Sequence, residues 1–416
     1  MTSNHNEQSQ LLEDKIINQV QPQFAAIDLM ARRNTQRVLD VFRRHQVSEF
    51  HFRGSSGYGY GDAGRDKLDE IWADVFGTEK ALVRMQFASG THALSSVLLG
   101  VLRPGDELVA VTGTPYDTMQ TVIGLKGKTT GSLMDIGIVY KEVPMGETGI
   151  NYTELAKTIT GNTKMALIQR SRGYSLRPPL SVADISKVCD AIKKINPTCI
   201  CFVDNCYGEF VEECEPASAG ADIMAGSLIK NPGGGIAPTG GYVAGRADLV
   251  ELAAYRLTAP GIGSEVGSSV AGYRLLYQGL FFAPHVVAQA LKSAVFAAAY
   301  FETLGYKTLP RYDAGRSDII QAIELGTAEK MVAFCQGLQH YSPIDSHVRP
   351  EASNMPGYSD PVVMAGGTFV QGSSIEISAD GPIRPPFVVY LQGGLSLEHS
   401  IIAIQGTSTY LNKEGR

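Results

Sequence analysis

The chain has 416 residues, a formal charge of −6 at pH 7, 44% hydrophobic residues and 19% charged ones. That length predicts two domains, or one large domain with a satellite, and the composition is that of a globular protein with a sizeable core. The negative balance gives no electrostatic case for nucleic acid or an anionic membrane.

The start, Met1 to Gln10, is polar, and no uninterrupted apolar run reaches ~18 residues, so neither a leader nor a span is expected and the location implied is the cytoplasm. Of the cysteines, Cys189, Cys199, Cys201, Cys206 and Cys214 crowd into one segment, and Cys335 stands apart. Cys199 and Cys201 share a strand face, but no C-x-x-C pair or nearby histidine completes a metal site. Free buried thiols and no metal are expected.

Taken in order, residues 1–50 read as a helical arm. Leu11, Ile16, Val20, Ile27, Met30, Val38 and Val41 recur at three- and four-residue steps. The arm packs either on a partner subunit or over its own core. Residues 51–66 form a glycine- and tyrosine-rich loop with Arg53, Tyr58, Tyr60 and Arg65. Its formal G-x-G-x-x-G, at Gly59, Gly61 and Gly64, follows a polar loop and not a strand, so a dinucleotide fingerprint is rejected. Two readings stand for the tyrosines and arginines: groups reaching a phosphate or partner chain, or a plain surface loop. A helix from Lys67 to Phe76 follows, with Leu68 and Trp72 facing inward.

A strand, Ala81–Phe87, runs into Ala88-Ser89-Gly90-Thr91-His92 and a helix to about Leu102. Strand, small-residue turn and helix N-terminus is the geometry that holds a phosphate on free N–H groups and a favourable dipole. Ser89 and Thr91 add hydroxyls, and His92 reads as a packed or capping residue. The strand Leu108–Val111 ends near Tyr116, whose ring either stacks on a planar ligand or is an ordinary loop residue. Further strands are expected at Ile138–Val143 and Met165–Gln169, with helices at Tyr152–Ile159 and 182–195. After Gln169 come Arg170, Arg172 and Arg177, three arginines at a strand end that read as ligand groups or a solvated loop, not as core.

An apolar strand, Thr198–Val203, ends at Asp204, and 26 residues later Lys230 precedes Asn231-Pro232-Gly233-Gly234-Gly235. In an α/β sheet such strand ends open onto the ligand crevice. An acid and a lysine brought together there suit pyridoxal phosphate (PLP): the amine forms a Schiff base with the aldehyde and the carboxylate pairs with the ring nitrogen. Burial and a neighbouring cation would lower the amine's pKa. A long helix, Phe281–Phe301, then leads to an α+β region. It has a strand near Tyr306, a helix Lys330–Gln339, and strands at Ala365–Val370, Ser374–Ile377 and Phe387–Gly393. The repeating strand–helix order predicts a mostly parallel sheet with helices on both faces. The expected divisions are 1–50 (arm), 51–275 (large cofactor domain) and 276–416 (bridging helix and small C-terminal domain).

Ser89-Gly90-Thr91, Tyr116, Asp204, Ser227 and Lys230 together resemble the fold-type I PLP enzymes of the cystathionine lyase and methionine γ-lyase group. Residues 57–65, 169–175, 204–210, 230–235 and 384–394 are more closely similar to the methionine γ-lyase-like subgroup associated with aluminium resistance. The resemblance spans roughly residues 50–395 and implies the aspartate aminotransferase-like fold. It implies that Lys230 is the Schiff-base lysine, Asp204 the pyridinium partner and Tyr116 the stacking ring. Ser89, Gly90, Thr91 and Ser227 would be phosphate contacts, and Tyr60 would reach the phosphate of a neighbouring subunit. It further implies a homodimer or homotetramer with shared sites. Arg384 is the candidate for the substrate carboxylate, with Arg172 and Tyr58 as further substrate contacts. The chain departs from the group in two places. Asp62 stands where an arginine follows the loop tyrosine, leaving Arg53 or Arg65 as substitutes, and Arg170-Ser171-Arg172 replaces an asparagine-bearing loop. The activity implied is C–S cleavage of a sulfur amino acid such as cystathionine or methionine, by β- or γ-elimination. An aminotransferase or sulfhydrylase would use the same lysine and acid, and a weakly catalytic PLP-binding stress protein is a third reading.

Overall fold

The computed structural model describes residues 2–127, 129–146, 149–355 and 358–413. It divides into two compact units, Asn34–Pro284 on one hand and the residues before Asn34 with those after Pro284 on the other. The chain crosses between them inside two helices.

The helix α1 (Thr2–Arg44) comes first, and the Asn34–Pro284 unit then runs α2 (Ala63–Phe76), β1 (Lys80–Arg84), α3 (Gly90–Val101), β2 (Glu107–Ala110), α4 (Asp117–Ile123), β3 (Val139–Glu142), α5 (Tyr152–Thr158), β4 (Thr163–Gln169), α6 (Val182–Ile195), β5 (Ile200–Asp204), β6 (Ile223–Ser227), β7 (Gly241–Gly245), α7 (Ala247–Leu257) and the start of α8 (Arg274–Thr303). Its seven strands lie in the order β1-β7-β6-β5-β4-β2-β3. From β3 through β6 every pairing is parallel; only β7, between β6 and β1, is antiparallel. The mostly parallel α/β sheet read from the sequence is therefore the architecture found.

Strands buried on both faces need apolar residues throughout, and β5 and β6 are buried along their whole length. Alternation sorts the faces. In β7, Val243 joins Leu94, Val97 and Ala253 of α3 and α7 in one core, while the adjacent Tyr242 meets the rings of Trp72 and Phe76 on α2 at 4.9 and 5.4 Å. Capping fixes the helix starts. Asp62 accepts from the backbone of Gly64 and Arg65, Ser89 from that of His92, and Ser181 forms a reciprocal box with Asp184.

The second unit carries β8 (Lys307–Leu309), β9 (Gln321–Glu324), α9 (Ala328–His340), β10 (Val362–Ala365), β11 (Ser378–Pro382), β12 (Val388–Gln392) and α10 (Leu397–Lys413). Its sheet is wholly antiparallel, ordered β10-β11-β12-β9-β8. Ile16, Val20 and Phe24 of α1 lie in the same core as Phe301, Phe334 and Val389. Lys292 on α8 binds Asp28 on α1 at 2.5 Å. The arm's first half thus covers the chain's own core. The strands expected at Ala365–Val370 and Ser374–Ile377 are displaced to β10 and β11. Between those strands the Glu376 carboxylate accepts from the backbone N–H groups of Phe369 and Val370, at 2.8 and 2.9 Å. A side chain there replaces a ladder, so Ile375 and Ile377 are buried in a loop. The helix α8 has the length and composition of a membrane span, but 72% of its apolar window is buried inside the protein.

Candidate active site

The carboxyl edge of the parallel strands collects the site. Asp204 closes β5, and Lys230 follows three residues after β6 ends at Ser227. The two strands are neighbours, with Asp204 opposite Ala225. A tight turn on Asn231–Gly233 starts at Lys230. Gly233 is obligatory in it, because a Cβ there would fall 1.7 Å from the Leu228 carbonyl oxygen.

Lys230 is partly exposed, and its Nζ lies 3.9 Å from the centroid of the Tyr207 ring. Burial opposes its charge, but the surrounding acidic groups, Cys206, Tyr207, Asp204 and Tyr116, outweigh it and hold the ammonium well above the usual lysine range. In the protein alone the direction is upward, whereas the lowered amine expected from the sequence is the one freed beside a neighbouring cation. Asp204 is buried, which raises its carboxyl. Lys230, the Cys206 N–H (3.1 Å) and thiol, and Arg177 pull in the opposite direction.

The residues expected to hold a phosphate meet at the N-terminus of α3. A Cβ on Gly90 would stand 3.0 Å from Ser227 Cβ and 3.6 Å from Cys206 Sγ, so the α3 start lies directly against the β6 end. Thr91 Oγ1 is 3.2 Å from Tyr116 Oη, and Ser89, exposed, caps the helix. Burial, then Asp204 and Cys206, push the Tyr116 phenol far above its ordinary range, so it stays neutral. The structure therefore brings together Ser89, Gly90, Thr91, Tyr116, Asp204, Ser227 and Lys230. His92 accepts from the Ala88 N–H at 3.1 Å and meets the Phe87 ring edge-on, a packed cap as expected.

Other residues lie apart. Tyr58 and Tyr60 pair ring to ring at 5.5 Å and are 72% and 68% exposed. Their loop is bound to Gly267 and Ser268. The glycine run of that loop sits ahead of the first strand, β1. Asp62, the residue that departs from the group's arginine, caps α2 and takes hydrogen bonds from Ser55 and from Tyr273 (2.6 Å). Arg65 is buried against Gly59 O and Asp66, which removes it as a phosphate arginine; Arg53 is exposed with its guanidinium over Phe50. Arg384 belongs to the other unit, where it donates to Asp360 at 3.0 Å.

Arg170 corrects the reading that the arginines after β4 avoid the core. It is fully buried, hydrogen-bonded to Asn205 at 2.8 Å and paired with Glu212 at 2.7 Å. An Arg fork with carboxylates on hand can be buried where a lone one cannot. Arg172 is buried as well, and Ser175 donates to its carbonyl. Tyr207, Cys206, Gln169 and Glu209 also lie around Asp204, Lys230 and Tyr116, although the sequence does not single them out. The Asp204–Glu209 stretch was a signal for three of them, but a left-handed tyrosine (φ 71°) is not readable from sequence. Five cysteines are buried and Cys214 is exposed, all as free thiols.

A lysine, an acid, a neutral phenol and a phosphate-suited helix start, gathered at the strand ends of a fold-type I sheet, define a PLP-enzyme scaffold. The chain belongs to the methionine gamma-lyase family, whose model matches residues 9–411. It is 54% identical to the uncharacterized protein YnbB of Bacillus subtilis, over 90% of this chain and 89% of that one. The crystal structure of a carbon-sulfur lyase involved in aluminum resistance from Clostridium novyi is 48% identical, with a TM-score of 0.93, covering 97% of this chain and 96% of that one. The PLP-dependent protein YhfS of Escherichia coli shares the fold at 17% identity, with a TM-score of 0.62 over 91% and 96% of the two chains.

Proposed function

We propose that this chain is a PLP-dependent carbon–sulfur lyase that acts on a small sulfur-containing amino acid. The observation that carries the reading is the convergence of Lys230 and Asp204 from neighbouring strand ends, with Tyr116 tied to the start of α3 beside them. Family membership and the Clostridium novyi lyase support it. The residues fit the cofactor. Gly90 lets the α3 start sit directly against Ser227 and Cys206, so that the first-turn N–H groups of α3 and the Ser227 hydroxyl can serve one anion, and the buried Asp204 suits a ring nitrogen that must keep its proton.

When bound, PLP supplies a Schiff-base aldehyde and an electron sink for carbanion chemistry. The chain's own contribution is proton placement. In the protein alone Lys230 favours a proton at Nζ, which the amine must give up before it can bond to an aldehyde or take a proton, while Tyr116 keeps its proton at Oη as a donor toward a departing atom. The Tyr207 ring face lies against the lysine amine, and the strands that carry the site, β5 and β6, are buried along their length. Tyr58 and Tyr60, exposed side by side, suit a second copy of the chain, and we read the working form as a homo-oligomer with sites completed between subunits.

The test is absorbance after PLP is added to the protein and to Lys230→Ala. A visible band should form with the first and be missing with the second. Product analysis with cystathionine or methionine should then give a keto acid, ammonia and a thiol. Conversion of the cofactor to its amine form, stoichiometric with substrate, would instead identify an aminotransferase.

A further inference from the structure

We infer that Gln169 is a positioning residue that fixes the Tyr116 ring against the cofactor, and this inference rests on the PLP reading above. Gln169 ends β4 opposite Asp204 and is buried. All of its polar groups are engaged. Its N–H donates to Thr112 Oγ1 at 3.1 Å, and its carbonyl accepts from Arg177 at 2.8 Å. Its side-chain Oε1 accepts from the Tyr116 N–H at 3.0 Å while its Nε2 donates to the Ser171 carbonyl at 3.1 Å.

That amide joins two loops that share no ladder, the one bearing Tyr116 and the one beginning at Arg170. Its orientation is dictated by chemistry: a backbone N–H needs an acceptor and a carbonyl needs a donor, at the same time. Among side chains of this length a neutral amide supplies both at any pH, and a carboxyl does so only when protonated. A carboxylate would face the Ser171 carbonyl with like charge, and an aliphatic chain would leave both backbone groups orphaned. Gly173 closes the same spot, since a Cβ there would lie 3.2 Å from Gln169 Nε2 and 3.9 Å from Tyr116 Cβ. Tyr116 is thus pinned at both ends, its backbone by Gln169 and its hydroxyl by Thr91, and the ring plane between them has little freedom.

The test uses the full chain, with Gln169→Leu and Gln169→Glu beside the wild type. Two readouts are taken: hydrogen exchange at the Tyr116 amide without cofactor, and PLP affinity with visible circular dichroism. In Gln169→Leu the Tyr116 amide should exchange at least about tenfold faster, and PLP should bind about tenfold more weakly with a diminished dichroic band, the loss of one or two buried hydrogen bonds. In Gln169→Glu both effects should appear at pH 8 and recede toward pH 5, because a protonated carboxyl again offers one donor and one acceptor. If Gln169→Leu does not fold, the pH series on Gln169→Glu carries the test alone. Unchanged exchange and dichroism in a folded Gln169→Leu, or no pH rescue in Gln169→Glu, overturns the inference. A wild type that forms no visible band with PLP overturns the cofactor half together with the proposed function, and the exchange result then decides separately whether Gln169 holds Tyr116.

Discussion

Tyr207 presents its ring face to Lys230 Nζ at 3.9 Å, and does so from a left-handed backbone with φ of 71°. That conformation costs a non-glycine residue on the order of 1 kcal/mol, so the surrounding fold must over-determine it. A cation over a ring face gains about 1–2 kcal/mol when partly desolvated, enough to offset the strain. Tyr207→Phe keeps the face but loses the ionisable hydroxyl, and should lower the Lys230 titration less than the loss of the whole ring does. Tyr207→Leu removes the face and should lower it by about one pH unit. NMR titration of the lysine ammonium in cofactor-free protein measures both, and equal values for the two variants would show that the ring does not act on the lysine.

The reading from sequence reached the residues whose chemistry is local. Asp204 and Lys230 stood out because each sits at the end of an apolar run, and Ser89-Gly90-Thr91 because a strand, a small-residue turn and a helix announce themselves within a few positions. What stayed hidden depends on contacts between distant segments. Asp62 reads as a departure from the group pattern until Ser55 and Tyr273 are seen to bind it. Arg170 reads as a ligand group until Glu212, 42 residues away, is seen beside it. The strand expected at Ser374–Ile377 failed for a similar reason, since Glu376 satisfies backbone groups that alternation would have assigned to a sheet.

Gly90 tests the phosphate cradle without touching the chemistry. Gly90→Ala places a methyl 3.0 Å from Ser227 Cβ, inside the space where α3 meets the β6 end. The methyl overpacks a buried contact, so the melting temperature should fall by a few degrees while the protein still folds. PLP affinity should fall by about tenfold or more, because the N-terminal N–H groups of α3 would be pushed from their partner. Isothermal titration with PLP, and with inorganic phosphate as the minimal anion, gives the two numbers. A variant that binds both as the wild type does would remove α3 from the cofactor site.

Asp204→Asn separates charge from shape. The amide oxygen can still accept from the Cys206 N–H, now 3.1 Å from the carboxylate, so the fold should hold. A neutral partner cannot keep a ring nitrogen protonated, and turnover of a sulfur amino acid should fall on the order of a hundredfold or more while PLP still forms its visible band. Full activity in this variant would show that the ring is not anchored by this acid.

Glu209 governs how stability responds to pH. It is fully buried and accepts from the Tyr242 hydroxyl at 2.8 Å. Burial, with Glu215 adding to it, raises its carboxyl from the ordinary 4.5 to about 8, against the opposing pull of its backbone hydrogen bond, Tyr242 and Lys230. An acid whose folded pKa lies above its unfolded one stabilises the fold fully below the unfolded value, and that stabilisation is lost as pH rises through the folded value. The window is therefore pH 4.5 to 8, and the whole loss across it is on the order of 5 kcal/mol. Asp204, also raised, slopes the same way, so the comparison must be between variants and not against pH alone. Glu209→Gln keeps the shape and the Tyr242 bond but cannot ionise. Urea denaturation from pH 5 to pH 9 should show the wild type weakening with rising pH and the variant weakening less, so that the variant is the more stable at pH 9. Parallel curves for the two proteins would mean that Glu209 is already charged in the folded state at neutral pH, paired with Lys230 and not held as an acid.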